Sequence, residues 1–345
     1  MGIRGFYCWL RKKKNYDPVL RVPTHSPLPV GATLRLDVLS FFNKIRWIYT
    51  RYKDDKVKAH SILFEHLKQF GDPAHTVYYV DGYPAIEKEA THRVREEKRN
   101  DALKTAKAAL DKFKERVSDA RPPTKELFKK ADKGLRGGFK WSIQDRRDFV
   151  EFLQGQDHDA RFCETEADIA IAADCRPVDI VVSQDSDFFA YESVKVLWRP
   201  VGKKHEVKIL EYNKAAVLEK VDLSHTKLTA LACVSCNDYN KNIRSLGIAT
   251  NYKIIKDLPD GAVPWLLQAY LQSPLVIWSN EDDIDFTGSL LVFTTMTQVV
   301  AQSEAPPMDP VALPMSFEVL CQQYESVKGQ YASIKAEKRA TSSSN

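Results

Sequence analysis

The stretch of this chain best suited to chemistry runs from Phe162 to Asp187 and reads FCETEADIAIAADCRPVDIVVSQDSD. Two apolar runs in it separate five carboxylates, which are Glu164, Glu166, Asp168, Asp185 and Asp187. The β-branched run 179–183 predicts a buried parallel strand, and 169–173 predicts a helix packed on it. Like charges ~4 Å apart at an effective dielectric near 20 cost roughly 4 kcal/mol per pair. Such a cluster therefore requires protons or divalent cations to neutralise it.

Two further acids stand at the ends of predicted strands. Residues 33–38 predict a strand that ends at Asp37, and 76–80 predict one that runs into Asp81. Strands followed by helices predict a mostly parallel sheet covered on both faces, and such sheets bind ligands beyond the carboxyl ends of their strands. We therefore expect these acids to meet the first five there. For any single acid, the alternative is a helix cap or a surface salt bridge.

The charge of the chain is unevenly distributed. Residues 88–147 contain 19 basic and 10 acidic residues, a net charge of about +9, although the whole chain carries only +5. A basic segment beside an acidic site is typical of an enzyme that binds a polyanion and cuts it with metal ions. The alternative is a solvated, lysine-rich helical insert with no such role.

The pattern between 85 and 150 predicts an element that projects from the body of the protein. A long charged helix over 85–119 has only a thin apolar stripe. We expect a short basic helix over 125–132 after it, and then a hinge-like loop at Gly134, Gly137 and Gly138. Further along, 242–258 predicts a short helix, a tight turn at Gly247 and another helix.

The remaining features limit the class of protein. No apolar run approaches 18 residues, so no membrane span is expected. Six cysteines lack the density of a disulfide framework and favour a reducing, intracellular compartment. Residues 304–314 carry four prolines and predict a linker, 317–335 predict a helix, and the tail KAEKRATSSSN is expected to be disordered.

Five segments together resemble one family. They are MGIRGF, VYYVDGYPAIEKEATHRVREEKR, ETEAD, SQDSDFF and CVSCNDYNKNIRSLGI. Their order and spacing over roughly residues 1–260 resemble the flap endonuclease and XPG group of structure-specific 5′ nucleases. The resemblance implies an α/β, PIN-like, three-layer αβα fold in 1–260, with a helical arch at about 84–150 and a helix-two-turn-helix-like element at 240–258. Residues 261–345 would form a helical C-terminal extension.

The resemblance also implies a catalytic centre. The positions that match the metal carboxylates of the family are Asp37, Asp81, Glu164, Glu166, Asp185, Asp187 and Asp238. They would bind two Mg²⁺ ions, with Mn²⁺ as a substitute. Lys88 and Arg95 match the two basic residues at the base of the arch and would grip the scissile phosphate. Asp168 resembles an extra acid of the phage and bacterial branches, and is equally consistent with an ordinary acid at a helix N-terminus.

The expected nucleic-acid contacts are more dispersed. They are Gly2, which would place a free amine near the site, and Arg93, Lys98, Arg99, Lys241, Arg244, Gly247 and Lys253. The turn at 245–248 departs from the family, because it reads Ser-Leu-Gly-Ile where relatives have G-I-G-P. Since that turn offers backbone N–H groups to duplex phosphates, the departure bears directly on DNA binding.

These observations predict a metal-dependent 5′ nuclease acting on branched or 5′-ended DNA, of the flap endonuclease or 5′ exonuclease type. The alternatives are an RNA-directed nuclease and a non-catalytic scaffold on the same fold. We expect DNA or RNA as the partner, no membrane, a monomer, and a nuclear location with a role in DNA repair. The Q-x-x-[LIM]-x-x-[FY]-[FY] segment that docks on sliding clamps is not seen.

Overall fold

The structure is a computed structural model that describes residues 2–23, 27–119, 121, 124–202, 207–296, 298 and 316–342. The linker predicted at 304–314 and the last three residues lie outside this part of the chain. The chain divides into two compact units. Unit 1 comprises Met1–Ile45, Asp54–Thr91 and Ser142–Ala301, and unit 2 comprises Arg46–Lys53, His92–Trp141 and Gln302–Asn345. The division differs from a boundary at 260, because 261–301 fall in unit 1.

Unit 1 is organised around a sheet that has seven strands within the described residues. The strands are β1 (Val19–Arg21), β2 (Leu34–Asp37), β3 (Thr76–Val80), β4 (Ala160–Phe162), β5 (Ile180–Val182), β6 (Val196–Val201) and β7 (Lys208–Asn213). Their order is β1-β7-β6-β5-β2-β3-β4. The five strands from β6 to β4 are parallel, whereas β7 and β1 are antiparallel to their neighbours.

The central strands β2, β3 and β5 are buried throughout because helices cover both faces of the sheet. Every residue of β3 is buried. Tyr78 packs edge-on against Phe64 with ring centroids 5.9 Å apart, whereas Tyr79 belongs to the core on the other face, with Ile171 and Phe189. This alternation follows from the two-residue period of a strand. The mostly parallel, three-layer αβα architecture predicted from the sequence is confirmed.

Fourteen helices are present in the described residues. They are α1 (Phe6–Lys14), α2 (Phe42–Arg51), α3 (Lys56–Leu67), α4 (Glu89–Ser118), α5 (Lys125–Gly138), α6 (Ile143–Gln154), α7 (Ala167–Asp174), α8 (Lys214–Val221), α9 (His225–Val234), α10 (Ile248–Asp257), α11 (Val263–Leu271), α12 (Pro274–Ser279), α13 (Thr287–Thr295) and α14 (Phe317–Ser342). Short 3₁₀ turns include Val38–Phe41, Ile86–Lys88 and Asp187–Phe189. No described helix is both long and apolar enough to cross a membrane.

The amino-terminal edge of the parallel sheet is held together by one buried carboxylate. Asp179 is fully buried, and its Oδ1 accepts a hydrogen bond from the backbone N–H of Thr33, which precedes β2. Its Oδ2 accepts from Arg35 Nε at 2.9 Å and from the backbone N–H of Arg176 at 3.0 Å. Burial would raise the pKa of Asp179, but these hydrogen bonds outweigh it and lower the pKa to about 2. Asp179 is therefore a satisfied structural anion.

Two elements near the N-terminus were not predicted. The basic segment 11–30 carries four prolines, a pattern that predicts a loop, but α1 extends to Lys14 and β1 occupies Val19–Arg21. Helix α1 buries Phe6, Trp9 and Leu10 while its last turn is entirely basic, which suits the negative end of a helix dipole. The basic run RKKK concealed the helix because only tertiary contacts show which side chains are buried.

Unit 2 is a helical unit with its own core. The buried side chains of α4 and α5, which include Leu110, Phe113 and Leu135, pack against Leu320, Cys321 and Val327 of α14. The rings of Phe128 and Tyr331 lie 4.7 Å apart, and Lys114 Nζ donates to Gln323 Oε1 at 3.2 Å. The thin apolar stripe of the charged helix is thus covered by the C-terminal helix. The predicted disordered tail from residue 335 was wrong, because α14 continues to Ser342.

The glycines after residue 132 do not form a hinge. Helix α5 continues through Gly134, Gly137 and Gly138 to its last residue. A Cβ on Gly134 would stand 2.7 Å from the carbonyl oxygen of Ala102 in α4, and one on Gly138 would stand 2.3 Å from Leu103 Cδ2. These glycines therefore allow α4 and α5 to approach closely. Their number in the sequence had indicated a flexible hinge instead.

Removing one buried contact of α14 should loosen unit 2. Leu320 is 1% exposed, so Leu320→Ala leaves a cavity that costs on the order of 2–4 kcal/mol. We expect faster amide hydrogen exchange in 92–118, 125–138 and 317–333, measured by mass spectrometry. The matched control is Val319→Ala, because the neighbouring Val319 is 40% exposed. Equal exchange in the two variants would contradict the packing described here.

Candidate active site

Acidic residues follow four neighbouring parallel strands of unit 1 at the edge where those strands end. Asp37 is the last residue of β2, and Asp81 comes directly after β3. Glu166 follows β4, and Asp185 follows β5. Because these strands are parallel, their carboxyl ends lie at one edge of the sheet. The sheet itself therefore gathers acids that are far apart in the sequence.

Local hydrogen bonds fix the first carboxylates in place. Asp37 Oδ2 accepts from the Ser183 hydroxyl at 2.8 Å, and its Oδ1 accepts from the backbone N–H of Ser40 at 3.2 Å. Asp81 Oδ1 accepts from the backbone N–H of Ala167 at 2.9 Å, at the first residue of α7. That helix N-terminus favours a negative charge. Both side chains are therefore held at the strand ends.

The loop after β5 carries two acids that are tied to one another. Asp185 Oδ1 accepts from the backbone N–H of Asp187 at 2.9 Å. Asp187 is buried, and its Oδ1 has no hydrogen-bond partner among the described residues. A buried carboxylate oxygen without a donor is costly unless a cation or a proton meets it. Asp187 is thus the acid with the greatest need for a ligand.

Gly2 packs directly against this loop. A Cβ on Gly2 would stand 2.0 Å from Asp185 Oδ1 and 2.7 Å from the backbone nitrogen of Ser186. The residue also adopts a positive φ of 85°, which a side chain would strain. Only glycine fits at this position beside the acids.

The acids interact strongly enough to shift their pKa values. Burial raises the pKa of Asp37 to about 7, with a contribution from the charge of Asp185. The pKa of Asp185 is raised to about 6 by burial, and Asp238 adds to the rise. Burial and neighbouring acids also raise the pKa values of Asp81 and Asp187 well above the ordinary range. The group therefore retains protons or needs cations near neutral pH.

One cation of the chain already lies among the acids. Lys88 is 5% exposed, and its Nζ donates to Glu166 Oε2 at 2.9 Å and lies 4.0 Å from Asp238 Oδ2. Burial alone would lower the pKa of this amine, but Glu166, Asp168 and Asp238 together raise it well above its usual value. Lys88 is therefore an ammonium ion that compensates part of the negative charge.

Asp238 stands on a turn that is built by the preceding residue. The Asn237 side-chain oxygen accepts from the backbone N–H groups of Tyr239 at 2.8 Å and Asn240 at 3.0 Å. The carbonyl of Asp238 accepts from the Thr91 hydroxyl at 2.8 Å, at the start of α4. The Asn-Asp-Tyr-Asn sequence thus fixes the position of the acid through a local side-chain-to-backbone turn.

Two predicted acids differ from the others. The Glu164 side chain is exposed, and its backbone carbonyl accepts from the N–H of Tyr83 at 2.9 Å. Asp168 is engaged by two tyrosine hydroxyls, because its Oδ2 accepts from Tyr191 at 3.1 Å and from Tyr239 at 3.2 Å. Sequence reasoning missed both tyrosines. The position of Tyr239 directly after Asp238 was a usable signal, whereas Tyr191 offered none.

The chemistry of the donor set fits a hard divalent cation. All the candidate ligands are carboxylate oxygens, which Mg²⁺ and Mn²⁺ prefer, and the orphaned Asp187 Oδ1 is the kind of atom that an ion would satisfy. Within the described residues, however, no three His, Cys, Asp or Glu side chains converge closely enough to hold one ion. The fit is therefore one of donor chemistry and charge.

A cavity of about 570 Å³ opens beside the acids in unit 1. Gly2, Arg4, Arg199 and Asp238 are among its lining residues. The Arg199 guanidinium lies 4.1 Å from the centre of the Tyr7 ring. A larger cavity, of about 940 Å³, lies at the opposite, amino-terminal edge of the sheet, away from the acids. The smaller one thus combines positive groups with the acidic edge.

The segment predicted to bind duplex differs in part from expectation. Helix α10 begins at Ile248, but no helix is found at 242–246, where a short one was predicted. Ser245 adopts a left-handed conformation with φ 65°, so it takes the backbone shape of a glycine at that position. Its neighbours Lys241, Arg244, Gly247 and Lys253 are all exposed. The turn is therefore formed with Ser245 at the position where the family pattern has its first glycine.

The predicted arch cations lie on α4 in unit 2. Arg93, Arg95, Lys98 and Arg99 all fall within Glu89–Ser118. Arg99 forms an ion pair with Glu96 three residues earlier, and its Nε donates at 3.1 Å. Arg95 remains a predicted catalytic residue, seven positions after Lys88 on the same stretch of chain.

Comparison with known proteins gives a local sequence match. Residues 158–238 match the XPG I-region, and this range contains Glu164, Glu166, Asp185, Asp187 and Asp238. Over 192 aligned residues the chain is 27% identical to flap endonuclease 1 of Phytophthora infestans. The aligned region covers 52% of this chain and 44% of the relative. The chain thus spans less than half the length of that relative.

Solved structures extend the likeness to the fold. Human GEN1 in complex with Holliday junction DNA superposes with a TM-score of 0.52 at 11% identity, covering 88% of this chain and 68% of GEN1. The catalytic core of Rad2 in complex with a DNA substrate gives 0.50 at 14% identity, covering 94% of this chain and 100% of the core. Part of this chain is therefore similar in sequence to the XPG I-region and to a flap endonuclease, and the chain shares its fold with GEN1 and the Rad2 core.

Proposed function

We propose that this chain is a metal-dependent, structure-specific 5′ nuclease that hydrolyses phosphodiester bonds in branched or 5′-ended DNA. The observation that carries the proposal is the set of buried and half-buried acids with raised pKa values at the carboxyl edge of the sheet. A role as caps or surface ion pairs does not explain why several acids are buried together. Support comes from the flap endonuclease relative and from the DNA present in the GEN1 and Rad2 complexes.

The proposed ligands of two Mg²⁺ ions, or of Mn²⁺ in their place, are Asp37, Asp81, Glu164, Glu166, Asp185, Asp187 and Asp238. When bound, a pair of such ions supplies an activated water and stabilises the leaving oxygen of the phosphodiester. The chain itself supplies the rigid strand ends and the helix N-terminus of α7 that hold these oxygens in place.

Basic residues would bind the nucleic acid. Lys88 is the cation best placed to stabilise charge on a phosphate bound at the acidic edge, because its ammonium already lies between Glu166 and Asp238. Arg95 is proposed as its partner on the same phosphate. The proposed backbone contacts are Gly2, Arg93, Lys98, Arg99, Lys241, Arg244, Gly247 and Lys253.

Two other functions keep the same fold. An RNA substrate is compatible with the proposed chemistry, because metal-ion phosphodiester hydrolysis does not require a deoxyribose. A non-catalytic, nucleic-acid-binding scaffold is favoured by one observation, which is that no three described side chains converge on a single ion position. The two classes differ in whether a divalent cation matters.

Cleavage should depend on both the metal and the acids. We expect the wild type to cut a labelled 5′ flap in Mg²⁺ but not in EDTA, with a nicked duplex and single-stranded RNA as the other substrates. Asp185→Ala should abolish cleavage while DNA binding is largely retained. Lys88→Ala should slow cleavage by about a hundred- to a thousandfold, since it removes a charge at the phosphate. Gel electrophoresis of the products measures the rates.

Two exposed residues of unit 1 serve as matched controls. Asp282→Ala and Lys220→Ala remove the same charges from the surface and should leave the rates unchanged. If the wild type cuts none of the three substrates in Mg²⁺ or Mn²⁺, the nuclease proposal is wrong. Binding that is identical with and without divalent cations would then support the scaffold.

The metal-free protein should lose stability as the pH rises. In the folded state the pKa of Asp37 is about 7 and that of Asp185 about 6, against roughly 3.9 for an unfolded aspartate. The folded state therefore binds more protons between about pH 4 and pH 7, so the free energy of unfolding falls with pH in that window. Thermal melts in EDTA should show this decline, and Mg²⁺ should stabilise more at about pH 8 than at about pH 5.

Removing one of the clustered carboxylate charges should stabilise the metal-free protein, as a bound cation would. We expect Asp185→Asn to stabilise the metal-free protein at about pH 8 by about 1–3 kcal/mol, to do so less at about pH 5, and to reduce the Mg²⁺ response. Asp282→Asn is the exposed control. A melting temperature that rises with pH in EDTA would contradict the buried-acid description.

A further inference from the structure

Lys88 needs more than an ion pair to be positioned. It lies on the 3₁₀ turn Ile86–Lys88, and a lysine side chain is a flexible four-carbon stem that ends in a point charge. The contact with Glu166 at 2.9 Å constrains one distance, but it does not by itself fix the direction of the ammonium. A surface that faces the ammonium from another side would supply the missing constraint.

The ring of Tyr239 provides such a surface. Lys88 Nζ lies 4.7 Å from the centre of this ring, within the range of a cation–π interaction. The contact is largely shielded from water, which strengthens the attraction, because Lys88 is 5% exposed and Tyr239 is half-buried. The ammonium is therefore bounded by a carboxylate and an aromatic face.

Other contacts hold the Tyr239 ring in place. The Tyr239 hydroxyl donates to Asp168 Oδ2 at 3.2 Å, and Tyr191 donates to the same oxygen at 3.1 Å. The Phe293 ring meets Tyr239 edge-on, with centroids 5.5 Å apart. Gln298 Nε2 donates to the Tyr239 hydroxyl at 3.3 Å. These contacts fix the plane of the ring independently of Lys88.

We propose that Tyr239 is a positioning residue for Lys88. The Tyr239 ring, anchored by Asp168, directs the Lys88 ammonium to the space between Glu166 and Asp238. The role assigned to Lys88 rests on the proposed nuclease function, whereas the contact itself does not. This inference gives Asp168 a role that differs from both interpretations drawn from the sequence. Its Oδ2 accepts hydrogen bonds from two tyrosine hydroxyls, so the residue acts on the site by orienting Tyr239.

The accessibility of Lys88 tests the contact without any enzyme activity. In EDTA, reductive methylation followed by mass spectrometry should label Lys88 slowly in the wild type. Tyr239→Leu removes the ring and should raise Lys88 labelling severalfold, and Asp168→Asn should raise it less. Exposed Lys241 should be unchanged in every variant. Unchanged labelling of Lys88 in folded Tyr239→Leu would overturn the inference.

Two further variants separate positioning from packing. Tyr239→Phe keeps the ring and should restore most of the protection of Lys88, and it serves as the test if Tyr239→Leu does not fold. Phe293→Leu disturbs the packing behind the ring but leaves the ring facing Lys88, so it should change Lys88 labelling less than Tyr239→Leu. Equal labelling in Phe293→Leu and Tyr239→Leu would show a purely structural role for Tyr239.

Kinetics on the flap substrate test the consequence. Tyr239→Leu should lower the single-turnover rate in Mg²⁺ by about three- to thirtyfold, the range expected for a buried cation–π contact, with little change in DNA affinity. The double variant Lys88→Met/Tyr239→Leu should be no slower than Lys88→Met. Additive losses would overturn the inference. If the wild type itself does not cleave, the nuclease proposal fails, and the labelling result still decides the role of Tyr239.

Discussion

The burial of like charges at the carboxyl edge of the sheet is the constraint on which the rest of the structure depends. Asp37, Asp81, Asp185 and Asp187 would repel one another in the unfolded chain only weakly, but the parallel strands bring them together at an edge where two are buried and two half-buried. Backbone N–H groups, the Ser183 hydroxyl and the ammonium of Lys88 stabilise the negative charges at this edge. None of these fully compensates the charge, which is why the edge suits a divalent cation.

The two ends of the same sheet show contrasting electrostatics. At the amino-terminal edge, Asp179 is fully buried and receives donors from Thr33, Arg35 and Arg176, so its pKa falls to about 2. At the carboxyl edge, Asp187 keeps an oxygen without a donor and its pKa rises. Burial is common to both, and the supply of donors makes one a structural anion and the other a candidate ligand. The structural anion and the candidate metal ligand thus lie at opposite ends of the same parallel strands.

The helical unit illustrates how composition and packing diverge. A charged helix with a narrow apolar stripe is typical of a projecting element, yet α14 covers that stripe with Leu320, Cys321 and Val327. Closely spaced glycines that indicated a hinge instead allow α4 and α5 to touch. In both cases the sequence contained the correct residues, but their partners are distant in the chain, by about two hundred positions for the apolar stripe and about thirty for the glycines. Only tertiary contacts assign such residues a role.

The sequence by itself determined the strands β2, β3 and β5, the acids at their ends and a resemblance to one family, because a buried parallel strand is short and rich in β-branched residues and the spacing of the blocks is specific. It could not determine which acids are buried, since Glu164 and Glu166 are two residues apart, yet the first is exposed and the second half-buried. It could not find α1, or the hydrogen bond from Tyr191 to Asp168, because a buried ring or hydroxyl is recognised only through what it contacts. The tertiary structure decided these points, since burial and hydrogen-bond partners are properties of the assembled sheet and not of a local pattern.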